Sequence, residues 1–467
     1  MMTEPVRRVA VIGGGITGAV VAEHLSHALD DGLLDRVVVF ERDQRVGGRA
    51  LTTPFAGIDH VDCGPDAFLS RVPEATALAH QVGLGDELVH PEPVGAAVWH
   101  RRLHAIPSGL VLGVPGDLGA LARSRLLSWP GKARAAFEPL LPRSPIDHDS
   151  IGRHVRSRFG REVHERLVDA LVGSIYATDT DRFSLAEMPQ VASLAEGRSM
   201  LLTARRIAAA NPGTATAQAA PIFAVPRSGV GRLVTATMDA ATERGVWLRT
   251  GSDPTIARLH DELSWRVDDE PFDAVVLATP AQASRELLAE IVPETALGLS
   301  TAETADVALV TLHVDDAEFP EQCLGLSGYL VPKPVQQAVT AVSFGSQKWA
   351  HWRPPSGGQV LRVSLGRDGA PVLHLSDDQI VDRMLADLRR HLDVEFTPRD
   401  VRVSRWPGAF AQYRPHHRQW VEDVRQTLPP GLFLAGSSYD GIGLPACIRS
   451  GKTIAERVLQ PDVGVAS

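Results

Sequence analysis

Residues 9 to 25 read VAVIGGGITGAVVAEHL, and the reading of this stretch decides the fold. The apolar run Val9 to Ile12 predicts a buried parallel strand, and Ala19 to Leu25 continues at helical period. Between them Gly13, Gly15 and Gly18 stand at GxGxxG spacing. The first glycine makes a tight turn, the second lets backbone N–H groups approach a pyrophosphate, and the third lets helix and strand pack closely. The helix N-terminus then faces the anion. A second apolar run, Arg36 to Phe40, ends in Glu41, where a carboxylate accepts hydrogen bonds from ribose hydroxyls. Strand, glycine turn, helix, strand and acid together predict a doubly wound, Rossmann-like α/β domain that holds a dinucleotide.

Two later stretches supply further strands to that sheet. FDAVVLATP, 272 to 280, and GLFLAG, 431 to 436, both read as buried runs. The dinucleotide domain is therefore expected from residues 1–70, 220–285 and 400–467, with insertions between. The first insertion, 71–219, is expected to be mainly helical, because Ile151, Val155, Phe159, Val163, Leu167 and Leu171 repeat every four residues. The second, 286–399, is expected to be an α+β substrate-binding domain, with strands at Val307 to Val314 and Val360 to Leu365 and a helix over Asp377 to Leu392. Residues Asn211 to Ala220 read as a loop. Arg153, Arg156, Arg158, Arg161 and Arg166 mark the 151–171 helix as a solvated face, with peripheral contact to anionic lipid as the alternative.

Bulk composition narrows the function. The chain has 467 residues, 44% apolar and 22% charged, too long for one core and too apolar for disorder. A net charge of −9 offers no overall excess to neutralise phosphates, which argues against nucleic-acid binding. Cys63, Cys323 and Cys447 are widely spaced and odd in number, so no disulfide framework and no metal site is expected, and a reducing cytoplasm fits. No stretch reaches 18 apolar residues. The scattered histidines, among them His24, His27, His313 and His416, show no partner by spacing.

Features beyond the first turn favour FAD over a nicotinamide cofactor. After Glu41 and Arg42 comes Gly47-Gly48-Arg49, where glycines permit close backbone approach and the Arg49 guanidinium offers fixed donors to a phosphate or to the flavin's polar edge. Near the C-terminus a strand ending at Gly436 is followed by a glycine turn and Pro445, a favoured first helical residue. N–H groups near Gly443 and Leu444 would then point from a positive helix end toward the negative charge a reduced flavin develops. Ile256 and Trp406 are added to this set of cofactor contacts. Cys447, inside the same helix, reads as a small packed residue.

At nearly full length the chain resembles the FAD-dependent porphyrinogen oxidases of haem biosynthesis, a family on the amine-oxidase-like FAD fold. The marks are GPDAFLSRVPEATALAHQVGLGDELV (64 to 89), PSGLVLGVP (107 to 115), RFGREVHERLVDALVGSIYATDTDRFSL (158 to 185), SQKW (346 to 349), RWPGAFAQYRPHH (405 to 417) and GSSYDGIGLPACIRSG (436 to 451). The sequence departs from the family pattern at His416, where glycine is usual, and at Arg227-Ser228-Gly229, where a double glycine is usual.

The resemblance implies a six-electron oxidation of a porphyrinogen to a porphyrin in three two-electron steps, with O2 as acceptor and H2O2 as co-product. No strong protein acid or base is demanded. Substrate propionates need cationic partners, for which Arg71 and Lys348 are the candidates. The actinobacterial members it resembles imply coproporphyrinogen III as substrate and hand-over of the product to a ferrochelatase. Protoporphyrinogen IX and, on the same fold, an amine stay open as substrates. Monomer and homodimer also stay open.

Overall fold

The computed structural model describes residues 6–143, 145–210, 221–259 and 264–460. The loop expected at 211–220 lies outside them. The first strand, Arg8–Ile12, sits at the centre of a five-stranded parallel sheet whose order is Trp247–Thr250, Arg36–Glu41, Arg8–Ile12, Ala274–Leu277, Leu432–Leu434. Both faces are covered, which is why these strands are apolar without alternation. Val9, Val11, Val37, Val39, Ala274 and Val276 pack against helices Ile16–Asp30, Val230–Glu243 and Leu444–Val458. Ala10, Ile12, Val38, Phe40, Val275 and Leu277 face a small antiparallel sheet (Ile256–Arg258, Trp265–Val267, Glu270–Phe272) and helices Ala281–Leu288, Pro293–Leu299 and His417–Gln426. The doubly wound expectation holds.

The second body is a seven-stranded sheet in the order Asp400–Ala411, Thr304–Val314, Gln359–Leu365, Val339–Phe344, Leu326–Leu330, Gly95–Trp99, Leu103–Ala105. Neighbours are antiparallel except Leu326–Leu330 beside Gly95–Trp99. Helix Asp377–Leu392 covers one face through Ile380, Met384, Leu388 and Leu392. It spans the predicted residues and starts at a capping box between Ser376 and Gln379.

Three sequence boundaries shift. Residues 400–411, expected in the dinucleotide domain, form a long strand beside Thr304–Val314 in the second sheet. Residues 95–105, expected in the helical insertion, are the far edge of that same sheet. Helix Pro73–Gln81 packs Ala75, Leu78 and Ala79 into the dinucleotide-domain core. In each case the partner is distant along the chain, and a local pattern carries no information about which sheet a strand will join.

The rest of the first insertion is mainly helical, with a short antiparallel pair Leu110–Val111 and Val114–Pro115, around its own core, which includes Ile151, Val155, Phe159, Val163 and Leu167. The stripe is buried from Ile151 to Leu167, but Leu171 is only half-buried and the helix is not continuous. Helix Ile151–Phe159 stops at Gly160, and a π-helical segment, His164–Gly173, follows the short turn Arg161–Val163. Its arginines divide, with Arg153 and Arg161 exposed as a solvated face requires and the others partly or wholly buried. Arg158 is buried against Glu138 at 2.6 Å, while Arg153, Arg156, Arg161 and Arg166 pair with Asp147, Asp181, Glu165 and Glu162. Among the described residues, no helix is long and apolar enough to cross a membrane.

Candidate active site

The glycine turn is held from both sides. Gly13 N donates to Phe40 O at 2.8 Å, and Gly14 N donates to Glu41 Oε2 at 2.6 Å. The other oxygen, Glu41 Oε1, accepts from Asp43 N at 2.8 Å. A carboxylate at the end of the second strand thus organises the turn as well as facing the cleft. Gly18 has the packing role expected of it, since a Cβ there would lie 1.9 Å from Gly13 O. A Cβ on Gly15, by contrast, would meet no heavy atom within 4 Å. The next loop closes over the turn: Gly47 N donates to Gly14 O at 2.8 Å, and Arg45 Nη2 donates to Gly48 O at 2.8 Å.

These groups line one end of a continuous cavity of about 820 Å³ between the two sheets. Gly13, Gly15, Glu41, Arg42, Gly48 and Arg49 line it, and so do Trp406, Gly436, Gly443, Leu444 and Cys447. Arg49 donates through Nη2 to Gly408 O at 2.5 Å, and burial lowers its pKa. Trp406 Nε1 donates to Cys63 O at 2.8 Å, so strand Asp400–Ala411 and the first domain meet at the cavity wall. Gly443 caps helix Leu444–Val458 with φ +104°, a conformation that side chains disfavour, and a Cβ there would also meet nothing within 4 Å.

The turn 436–443 is anchored outside the cavity. Tyr413 Oη donates to Ser437 O at 2.7 Å and accepts from Gly441 N at 2.8 Å. Its ring stacks on His417 at 3.7 Å, and the Trp420 ring stacks on Tyr439 at 6.2 Å. His416, the departure from glycine, takes φ +63°, the left-handed conformation for which glycine is the usual choice. Burial pushes the Cys447 thiol up to about 11, so it stays protonated and packed.

Four expected residues do not reach the cavity, the first being Gly18, which packs helix against strand behind it. Ile256 is buried in the core against the small antiparallel sheet, and Ser252, Asp253 and Pro254 line the cavity in its place. Arg71 is exposed just before helix Pro73–Gln81 and is not a lining residue. Lys348 donates from Nζ to Asp66 at 2.9 Å and is likewise not a lining residue.

The cations that do line the wall beyond Arg42, Arg45 and Arg49 are Arg362 and Arg405, which sequence reasoning missed. A signal for Arg362 was present. In Val360-Leu361-Arg362-Val363-Ser364-Leu365 the apolar Leu361, Val363 and Leu365 enter the core, and the polar pair faces the other way, into the cavity.

The features fit FAD. Backbone N–H groups at two helix N-termini, behind Gly15 and Gly443, border the same cavity, with open space above each glycine. Among the described residues, neither histidine nor lysine lines it. Among the described residues, no cluster could hold a metal ion.

The model of the family described as flavin containing amine oxidoreductase matches residues 16–459. A coproporphyrinogen III oxidase of Mycobacterium leprae is 33% identical over 98% of this chain and 99% of its own length. One of Bacillus subtilis is 29% identical with the same coverage. A chain from Exiguobacterium sp. 255-15, solved as a candidate protoporphyrinogen oxidase, superposes with a TM-score of 0.84 at 28% identity, covering 98% of this chain and 99% of that one. Cyclohexylamine oxidase from Brevibacterium oxydans, 17% identical with a TM-score of 0.67 over 97% and 99%, shares the fold.

Proposed function

This chain belongs to the flavin-containing amine oxidoreductase family and is an FAD-dependent oxidase; we propose that it oxidises coproporphyrinogen III to coproporphyrin III. The observation that carries the reading is the cavity itself, in which a dinucleotide cradle runs without interruption into a wall of apolar and cationic side chains. The full-length likeness to coproporphyrinogen III oxidases supports it. Bound FAD supplies hydride acceptance, three times for the six electrons lost, with O2 as the final acceptor and three H2O2 formed.

The chain's own residues bind, orient and exclude water. Gly13, Gly15 and Glu41 would hold the nucleotide end, with Gly18 packing behind them, and the N-terminus of helix Leu444–Val458 would offer N–H groups to developing negative charge. Leu309, Val307, Phe410 and Ala177 give the opposite end an apolar wall that keeps bulk water from the reacting carbon. Among the described residues the titratable groups in the lining, arginines and Cys447 apart, are the carboxylates Glu41, Asp43, Asp253 and Glu286, and hydride transfer asks for no stronger side-chain base. Arg362 lines the cavity where Arg71 and Lys348 do not, and is the candidate partner for a substrate carboxylate; Arg405 lines it too but donates to Asp377, Leu373 O and Leu375 O. The product would pass to a ferrochelatase in the cytoplasm, a location that fits three free, buried cysteines.

The test is turnover of coproporphyrinogen III and protoporphyrinogen IX side by side, following porphyrin fluorescence and H2O2. Coproporphyrinogen III should be the faster substrate, with three H2O2 per porphyrin. Faster turnover of protoporphyrinogen IX, or H2O2 from amines alone, would overturn the reading.

A further inference from the structure

A charge arrangement in the cavity wall is not accounted for by the cofactor cradle. Arg362 is 7% exposed and lines the cavity. Its Nη2 donates to Gly64 O, its Nη1 lies 3.5 Å from Asp66 Oδ2, and its Nε has no hydrogen-bond partner. The same Asp66 oxygen accepts from Lys348 Nζ at 2.9 Å and from Trp349 Nε1 at 3.2 Å. Burial pushes the Asp66 carboxyl up, but Lys348 and Arg362 outweigh it and hold the group well below the usual carboxylate range.

Two cations therefore share one anion. The neighbouring Asp62, which accepts from Thr52 Oγ1 and Val230 N, adds a negative charge, but Arg402 lies beside it and offsets that charge. On the cavity side Arg49 is bonded to a carbonyl. A buried guanidinium with surplus charge and an idle donor is costly unless an anion arrives to meet it.

We propose that Arg362 is an anion receptor of the cavity, and that Lys348 is the positioning residue that occupies Asp66 and so leaves the Arg362 charge available. Lys348 then acts from behind the wall rather than by contact. The shared chemistry is a negative group bound next to Arg362. Its source is either a substrate carboxylate or the charge FAD acquires on two-electron reduction.

The experiment uses the FAD-loaded enzyme and the variants Arg362→Met, Arg362→Lys and Lys348→Met, with two readouts. One is the midpoint potential of bound FAD without substrate. The other is the Kd of coproporphyrin III and of protoporphyrin IX for the oxidised enzyme. If reduced FAD is the source, Arg362→Met shifts the oxidised-to-reduced equilibrium about tenfold, about 30 mV downward for two electrons, and leaves both Kd values unchanged. If a carboxylate is the source, the coproporphyrin III Kd rises about tenfold and the potential holds.

Lys348→Met should move the same readout in the same direction by less, since Asp66 then absorbs the Arg362 charge. Arg362→Lys should recover most of the effect. Unmoved potential and unmoved Kd in both methionine variants, with FAD bound, overturn the proposal. Should Arg362→Met fail to fold, Lys348→Met decides, because Asp66 keeps Arg362 and Trp349 as partners. Only the second readout rests on the porphyrinogen reading. A wild-type enzyme that binds neither porphyrin refutes that reading, while the potential still decides the charge.

Discussion

Gly15 and Gly18 lie three residues apart in one motif, yet a methyl group at each should have opposite consequences. Gly15 has φ −72° and ψ −178°, open to any residue, and its Cβ would meet nothing within 4 Å. Gly15→Ala loses some N-cap preference and gains about 0.4–1 kcal/mol by restricting the unfolded chain, so the fold should change by about 1 kcal/mol or less. The open space is the cavity, however, and a methyl there holds a pyrophosphate away from the N–H groups of helix Ile16–Asp30. Losing two charge-assisted bonds at roughly 1.5–3 kcal/mol each removes about 3 kcal/mol or more, a weakening of about a hundredfold or more in Kd. Gly18→Ala instead places Cβ 1.9 Å from Gly13 O, backbone against backbone. Strand and helix must separate, at about 1–3 kcal/mol or more. The assay pairs thermal melting of FAD-depleted protein with FAD titration by fluorescence quenching. Gly15→Ala should melt with wild type and bind FAD poorly, and Gly18→Ala should melt lower. Wild-type FAD affinity in Gly15→Ala would refute the placement of the pyrophosphate.

Glu41→Ala should weaken FAD retention by roughly 1.5–3 kcal/mol per charged bond lost, because Glu41 orients Gly14 N as well as facing the cavity; FAD content after desalting reads it. Burial raises the Asp62 carboxyl to about 6, so the folded state keeps a proton that the unfolded chain releases near pH 4, and stability from this group is lost as pH rises through about 6. Asp62→Asn should therefore gain up to about 3 kcal/mol on wild type above pH 6 relative to the comparison at pH 4, measured by denaturation at each pH. Burial lowers His351, His391 and His417 to about 4 each, which makes their contribution fall as pH drops below about 6.5, so the wild-type melting temperature should decline steeply between pH 6.5 and 4. Glu138→Ala strands the buried Arg158 guanidinium and should cost about 3–5 kcal/mol in chemical denaturation, while Arg153→Ala, an exposed pair, should cost about 1 kcal/mol or less.

What the sequence by itself determined is the part of the molecule built from local chemistry. The turn after Val9 to Ile12, the acid closing the second strand, the capped helix Asp377–Leu392 and the Pro445 helix start each depend on neighbours within a few residues, and each appears where the pattern puts it. The cavity's nucleotide end was legible for that reason. Its far wall was not. Arg362 and Arg405 come to the cavity because strands Gln359–Leu365 and Asp400–Ala411 share the second sheet through Thr304–Val314, pairings over long separations that alternation alone cannot specify. Arg71 and Lys348 were misplaced by the same limit, since proximity in sequence to a motif does not say which side of a wall a long cationic side chain takes. Lys348 turns to Asp66 because a half-buried carboxylate 282 positions away needs its charge, and only the tertiary structure brings the two within 2.9 Å.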